Sequence, residues 1–140
     1  MGLDMYLDKQ KYYYDTEKQP TIQGFEGLKH LKVRANVIYW RKSNMIHKWF
    51  VDNVQNGDDD CGDYFVTKET LQKLLTLISV TLQMPEIKEE TLPTQSGFFF
   101  GGVKYDKYYW DELRETEASL KKLLDSKDFD EYSYYYNSSW

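Results

Sequence analysis

Apolar and polar positions alternate at the start of the chain, with Leu3, Met5 and Leu7 on one side and Asp4, Tyr6 and Asp8 on the other. That period of two predicts a half-buried strand over Gly2 to Asp8. Lys11 to Gly27 loses the pattern and carries Pro20, Gly24 and Gly27, so it reads as a loop or irregular hairpin. Strand character returns over Lys29 to Trp40, where Val37-Ile38-Tyr39-Trp40 gathers β-branched and aromatic residues. The period then changes. Ser43 or Asn44 can cap a helix running to about Val54, with Ile46, Trp49, Phe50 and Val54 at helical spacing and His47, Lys48 and Asp52 elsewhere around it. Asn56 to Asp60 is a turn-rich acidic loop, and Gly62 to Val66 a short strand. Thr67 caps a second helix, with Leu71, Leu74, Leu75, Ile78 and Leu82 as its stripe and Pro85 at its end. After a linker from Glu86 to Pro93, Thr94 to Gly102 predicts a strand bounded by glycines. Asp106 starts the last long helix, with Trp110, Leu113, Leu120 and Leu124 facing inward. Tyr132 to Trp140 is extended, with Tyr132, Tyr134 and Tyr136 on one face and Tyr135 on the other.

Three short to medium helices among strands of mixed length predict an α+β fold. The expected form is a two-layer sandwich, with about three helices packed on one face of a mostly antiparallel sheet. The alternation is too irregular for a doubly wound parallel sheet. Gly97 and Gly101-Gly102 lack both the spacing of a dinucleotide loop and the Lys-Ser/Thr pair of a P-loop. A length of 140 residues suits one ligand-binding domain, residues 1–140, with a core that needs no disulfide or structural metal.

Composition narrows the classes further. A single cysteine, Cys61, cannot bridge within the chain, which points to a reducing cytosol. The first residues lack a basic region followed by an apolar run, so no signal peptide is expected, and Tyr6 stands where a myristoylation motif needs Ser or Thr. No stretch approaches the roughly 20 apolar residues that span a bilayer, so neither a membrane partner nor a membrane location is expected. The net charge of −5 argues against DNA as a partner, since such binding neutralises many phosphates with Lys and Arg. A small anionic ligand needs only a local positive site. An aromatic content of 17%, with 13 tyrosines, exceeds what a core requires and points to ring-lined pockets or subunit interfaces.

The richest candidate chemistry lies where the second strand becomes a helix, in Tyr39-Trp40-Arg41-Lys42-Ser43-Asn44. A helix N-terminus presents unpaired N–H groups and the positive end of the peptide dipole, so Arg41, Lys42 and the first turn can hold a phosphate while Trp40 offers a stacking face. Cations there oppose the dipole, and broken local rules concentrate at functional sites. His47, one turn in, can reach the same ligand. The plain alternative is a core Trp40 with cations on the surface. The second candidate is Thr94-Gln95-Ser96-Gly97, three hydrogen-bonding side chains before a glycine that admits close approach. Phe99 opposes Phe98 and Phe100 there, giving a stacking platform or merely a buried strand. Tyr105 and Tyr108 or Tyr109 can line a pocket, or simply pack, while Asp106 needs only its capping role. Asp58 to Asp60 lacks the spaced oxygen ligands of a calcium loop, and two histidines with one cysteine make a poor transition-metal set, so no metal, cofactor or catalytic residue is expected.

Taken together, Gly2 to Leu7, Tyr39 to Val51, Asp60-Cys61-Gly62, and Leu92 to Gly101 followed by Tyr105-Asp106 resemble a widespread group of small bacteriophage-encoded proteins. That group is identified here with phage proteins that sequester cyclic nucleotide immune signals, the anti-CBASS sponges. The resemblance spans nearly the whole chain, although Lys11 to Lys29 and the tail are not diagnostic. It implies a small, homo-oligomeric α+β protein of the infected host's cytoplasm that holds a cyclic dinucleotide without turnover. On that expectation Arg41 and Lys42 hold phosphate, Trp40 and a ring between Phe98 and Tyr109 stack on bases, and Asn44, Thr94, Gln95 and Ser96 read them. The alternatives are a phage protein that inhibits a host protein through an aromatic interface, and an enzyme that degrades the nucleotide signal.

Overall fold

The computed structural model describes residues 2–14 and 18–140. The order is β1 (Asp4–Tyr13), β2 (Leu31–Arg41), α1 (Asn44–Asn53), β3 (Tyr64–Val66), α2 (Lys68–Gln83), a 3-10 turn (Pro85–Ile87), α3 (Lys88–Thr91), α4 (Lys107–Leu124), a second 3-10 turn (Phe129–Glu131) and β4 (Ser133–Ser139). The expected α+β sandwich is present. Three helices of ten or more residues and the single turn of α3 accompany a four-stranded sheet of order β2-β1-β4-β3, antiparallel throughout.

The alternation in β1 sets the faces of the sheet. Met5 and Leu7 are buried with Ile38 and Trp40 of β2, Tyr134 and Tyr136 of β4 and Val66 of β3. The helices cover that side with Ile46 and Phe50, Leu71, Leu74 and Ile78, and Leu113 and Leu120, all fully buried. Thr67 caps α2 and Asp106 caps α4, each accepting from a first-turn N–H as the sequence predicts. The Tyr136 ring stacks on Phe50 with centroids 3.9 Å apart, which joins sheet to helices at the middle of the core.

Two segments differ from expectation. β1 runs on to Tyr13, into the stretch read as loop, because its pairing with β2 continues past a bulge at Leu7 and Asp8. Asn36 fills that bulge, its amide donating to the carbonyls of Leu7 and Ile38. Thr94 to Gly102 is not a strand. Gly101 sits at φ +81°, Phe100 N–H turns back to the Gly97 carbonyl, and the Phe99, Phe100 and Gly102 carbonyls accept from donors outside any sheet. Among the described residues no helix is long and apolar enough to cross a membrane.

Candidate functional site

Asn44, the first residue of α1, organises the region around it. Its side-chain amide is buried and donates to the carbonyls of Phe100 and Gly102, at 2.9 Å each, while its oxygen accepts from Gln95 N–H at 3.0 Å. One side chain thus supplies the partners that a neighbouring strand would otherwise give, and it fixes the segment Thr94 to Gly102 as a shaped loop. The expectation that Asn44 reads a base is corrected by this, because its three bonds are spent inside the protein. A second strap comes from Leu3, whose N–H donates to the Phe99 carbonyl and whose carbonyl accepts from Lys42 N–H.

On one side of this loop lies a cavity of about 380 Å³. Lys42, the first turn of α1, Thr94, Gly101-Gly102, Lys104 and the start of α4 with Tyr108 and Tyr109 form its wall. Lys42 is unusual. Its φ of +55° is the left-handed conformation, which costs a non-glycine residue about 1–2 kcal/mol. Its stem is confined by two glycines: a Cβ on Gly2 would lie 2.9 Å from Lys42 Cε, and one on Gly101 3.1 Å from Lys42 Cβ. Among the described residues neither Lys42 nor Lys104 takes part in an ion pair. The helix start adds to the positive field, because the Ser43 hydroxyl donates to Glu112 and leaves α1 without a side-chain cap. Asp106 offsets part of that field while capping Tyr109 N–H in α4.

On the other side lies a cavity of about 500 Å³. Gln95 to Phe100 form one wall; His47, Lys48, Val51, Asp52 and Asp59 with Trp140 form the other. His47 is fully buried at its back, with Nδ1 2.6 Å from the Tyr136 hydroxyl and Nε2 3.0 Å from Asp59. An ionised carboxylate only accepts, so Nε2 carries the proton and donates to Asp59, and the Tyr136 hydroxyl donates to Nδ1. Burial holds the His47 pKa below its usual value, with Asp59 pulling the other way, and pushes the Tyr136 phenol well up. Asp59 also accepts from the Trp140 indole at 3.1 Å.

The sequence-derived candidates therefore separate. Lys42, Asn44, Thr94 and Tyr109 meet at the first cavity, while His47, Gln95, Ser96, Gly97 and Phe99 belong to the second. Trp40 is corrected from a stacking face to core: it is 3% exposed and its indole donates to Thr116 on α4 at 2.8 Å. Arg41 is paired with Asp4 at 2.8 Å and lies outside both walls, and the Tyr39 hydroxyl donates to the same carboxylate on the open face of the sheet. Those two bonds hold the Asp4 pKa below its usual value. Tyr105 is half-buried against Tyr109, its hydroxyl accepting from Thr94 N–H, and Tyr109 is buried with its hydroxyl donating to the Leu92 carbonyl. Both brace the loop.

Lys104, Asp59 and Trp140 also line the walls and were not singled out as ligand-binding from the sequence, whereas Phe98 was among the rings expected to stack. No spacing rule puts Lys104 on the same cavity wall as Lys42. Comparison with protein-family models, curated proteins and solved structures finds no match to this chain.

Proposed function

We propose that the chain is a binding protein for a small phosphorylated ligand, held at the Lys42 cavity without turnover, and that the ligand is a cyclic nucleotide immune signal sequestered by a phage protein in the host cytoplasm. The observation that carries this reading is Lys42 itself. A strained backbone and two close-packed glycines confine a lysine on the wall of a cavity that holds a second lysine and the start of a helix without a side-chain cap. Strain of this kind persists where the surroundings enforce it, and it collects at ligand clamps. The resemblance to anti-CBASS sponges supplies the ligand class.

Holding is favoured over cutting because the one buried histidine among the described residues is tied at both ring nitrogens and lines the other cavity, not that of Lys42. The decisive test is a thermal-shift and calorimetric screen of the purified chain against cyclic di- and trinucleotides. A bound ligand raises the melting temperature as RT ln(1 + [L]/Kd) requires, and Lys42→Ala removes the shift. Recovery of linear product after incubation would favour the degrading enzyme instead. The reading as an inhibitor of a host protein draws on a separate observation, the exposed rings of Tyr39 and Phe65 on the open sheet face. A chain that shifts with no nucleotide would favour it.

A further inference from the structure

The second cavity differs in chemistry from the first. Its rim carries Phe98, 94% exposed, and Trp140, 47% exposed, two large rings presented to solvent at one concave site. Trp140 is held rather than loose. Its indole donates to Asp59, and its ring meets Phe100 edge-on at 5.9 Å, which in turn meets His47 edge-on at 5.3 Å. A relay of hydrogen bonds and ring contacts that begins in the core at His47 therefore holds a half-exposed aromatic face.

The charged groups in this wall are Lys48, Asp52 and Asp59, and Lys48 is spent on Asp52 at 2.7 Å. Carboxylates outnumber the cation, so the cavity repels a phosphate and suits a ring edge that donates hydrogen bonds. It stands next to the cavity that suits phosphate. Asn44 and Met45 face the first and His47 and Lys48 the second, an offset along α1 of about 5 Å, one helical turn.

We infer that the cavity between Phe98 and Trp140 is a planar-ring subsite that takes a nitrogen heterocycle with N–H donors on its edge, guanine above adenine, from the ligand whose phosphate sits at Lys42. This rests on the phosphate reading. The ring stacks on Trp140, Phe98 covers it, and Asp52 or Asp59 accepts from its edge. A guanine offers two adjacent donors to a carboxylate, whereas adenine puts a ring acceptor beside its single amino group.

Calorimetric titration of the full chain with inorganic pyrophosphate, cyclic di-GMP and cyclic di-AMP separates the subsites. The double variant Phe98→Ala, Trp140→Leu is expected to bind cyclic di-GMP about tenfold or more weakly, the usual loss when a base loses its stacking ring, and pyrophosphate as the wild type does. Cyclic di-GMP should quench tryptophan emission, and Trp140→Phe should keep most of the affinity while losing the quench. Cyclic di-AMP should bind more weakly than cyclic di-GMP; equal affinity would overturn the assigned edge. If the double variant holds cyclic di-GMP as tightly as wild type while Lys42→Ala does not, the ring subsite is refuted and the phosphate site stands. If the wild type binds none of the three probes, both readings fall.

Discussion

The two cavities share one loop and one helix, yet they are built by opposite means. Around Lys42 the backbone is strained and the side chain is confined by missing atoms, the absent Cβ groups of Gly2 and Gly101. Around Trp140 the position is set by a chain of satisfied hydrogen bonds, Tyr136 to His47 to Asp59, with the indole as its last member. The first arrangement places a charge on a flexible stem, which sterics alone can restrain. The second orients a flat ring, which needs directional bonds. Asn44 lies between them and makes both possible by holding the loop that divides them.

Asn44→Ala should do the most damage and blur the distinction altogether. It leaves one buried carbonyl, one part-buried carbonyl and one part-buried N–H without partners, and a loss of about 3 kcal/mol in denaturant unfolding is expected, with weaker binding at both cavities. Lys42→Ala comes next: it should weaken binding of phosphorylated probes by about ten- to a hundredfold, the worth of one charge-assisted contact, while calorimetry of the ring subsite with guanosine stays unchanged. Lys42→Gly sharpens the same point. It should lose the ligand as Lys42→Ala does but be the more stable of the two by about 1 kcal/mol, because glycine accepts φ +55° without cost. Equal stability of the two variants would refute strain at this site.

The smallest effect concerns pH. His47 has its folded pKa depressed, so it contributes stability that is present above its unfolded value of 6.5 and lost as pH falls through the folded value. Glu112 works in the other direction: burial raises its pKa above 4.5, so its contribution improves as pH falls. Unfolding curves at pH 7.5 and 5.5 should therefore show a modest loss on acidification, and His47→Gln, which can keep a bond to Asp59, should flatten it.

Most of the fold was legible because it follows short-range rules. Leu3, Met5 and Leu7 declare their face by alternation, Leu71, Leu74 and Ile78 by helical spacing, and Thr67 and Asp106 by capping chemistry. The same alternation places Ile38 and Trp40 together against Tyr39 and Arg41, a cue to the core that the stacking expectation for Trp40 overrode. The loop from Thr94 to Gly102 resisted for a physical reason. Its phenylalanines read as strand, but its shape depends on a side chain some fifty positions earlier in the sequence, and no local pattern encodes that partner. The left-handed Lys42 is equally silent, since lysine has no preference for that conformation and only Leu3, Gly2 and Gly101, packed around it, impose it.

The placement of β4 has a consequence in time. Its hydrogen-bonded neighbours are β1, from the beginning of the described chain, and the three-residue β3, which pairs with no other strand among the described residues. A chain emerging from the ribosome can therefore pair β1 with β2 and bring its helices together, but Phe50 lacks its stacking partner and His47 its Nδ1 partner until Tyr136 arrives. Closing a sheet across such a separation is a slow, non-local event, so β4, made after the other three described strands, commits the sheet to its order.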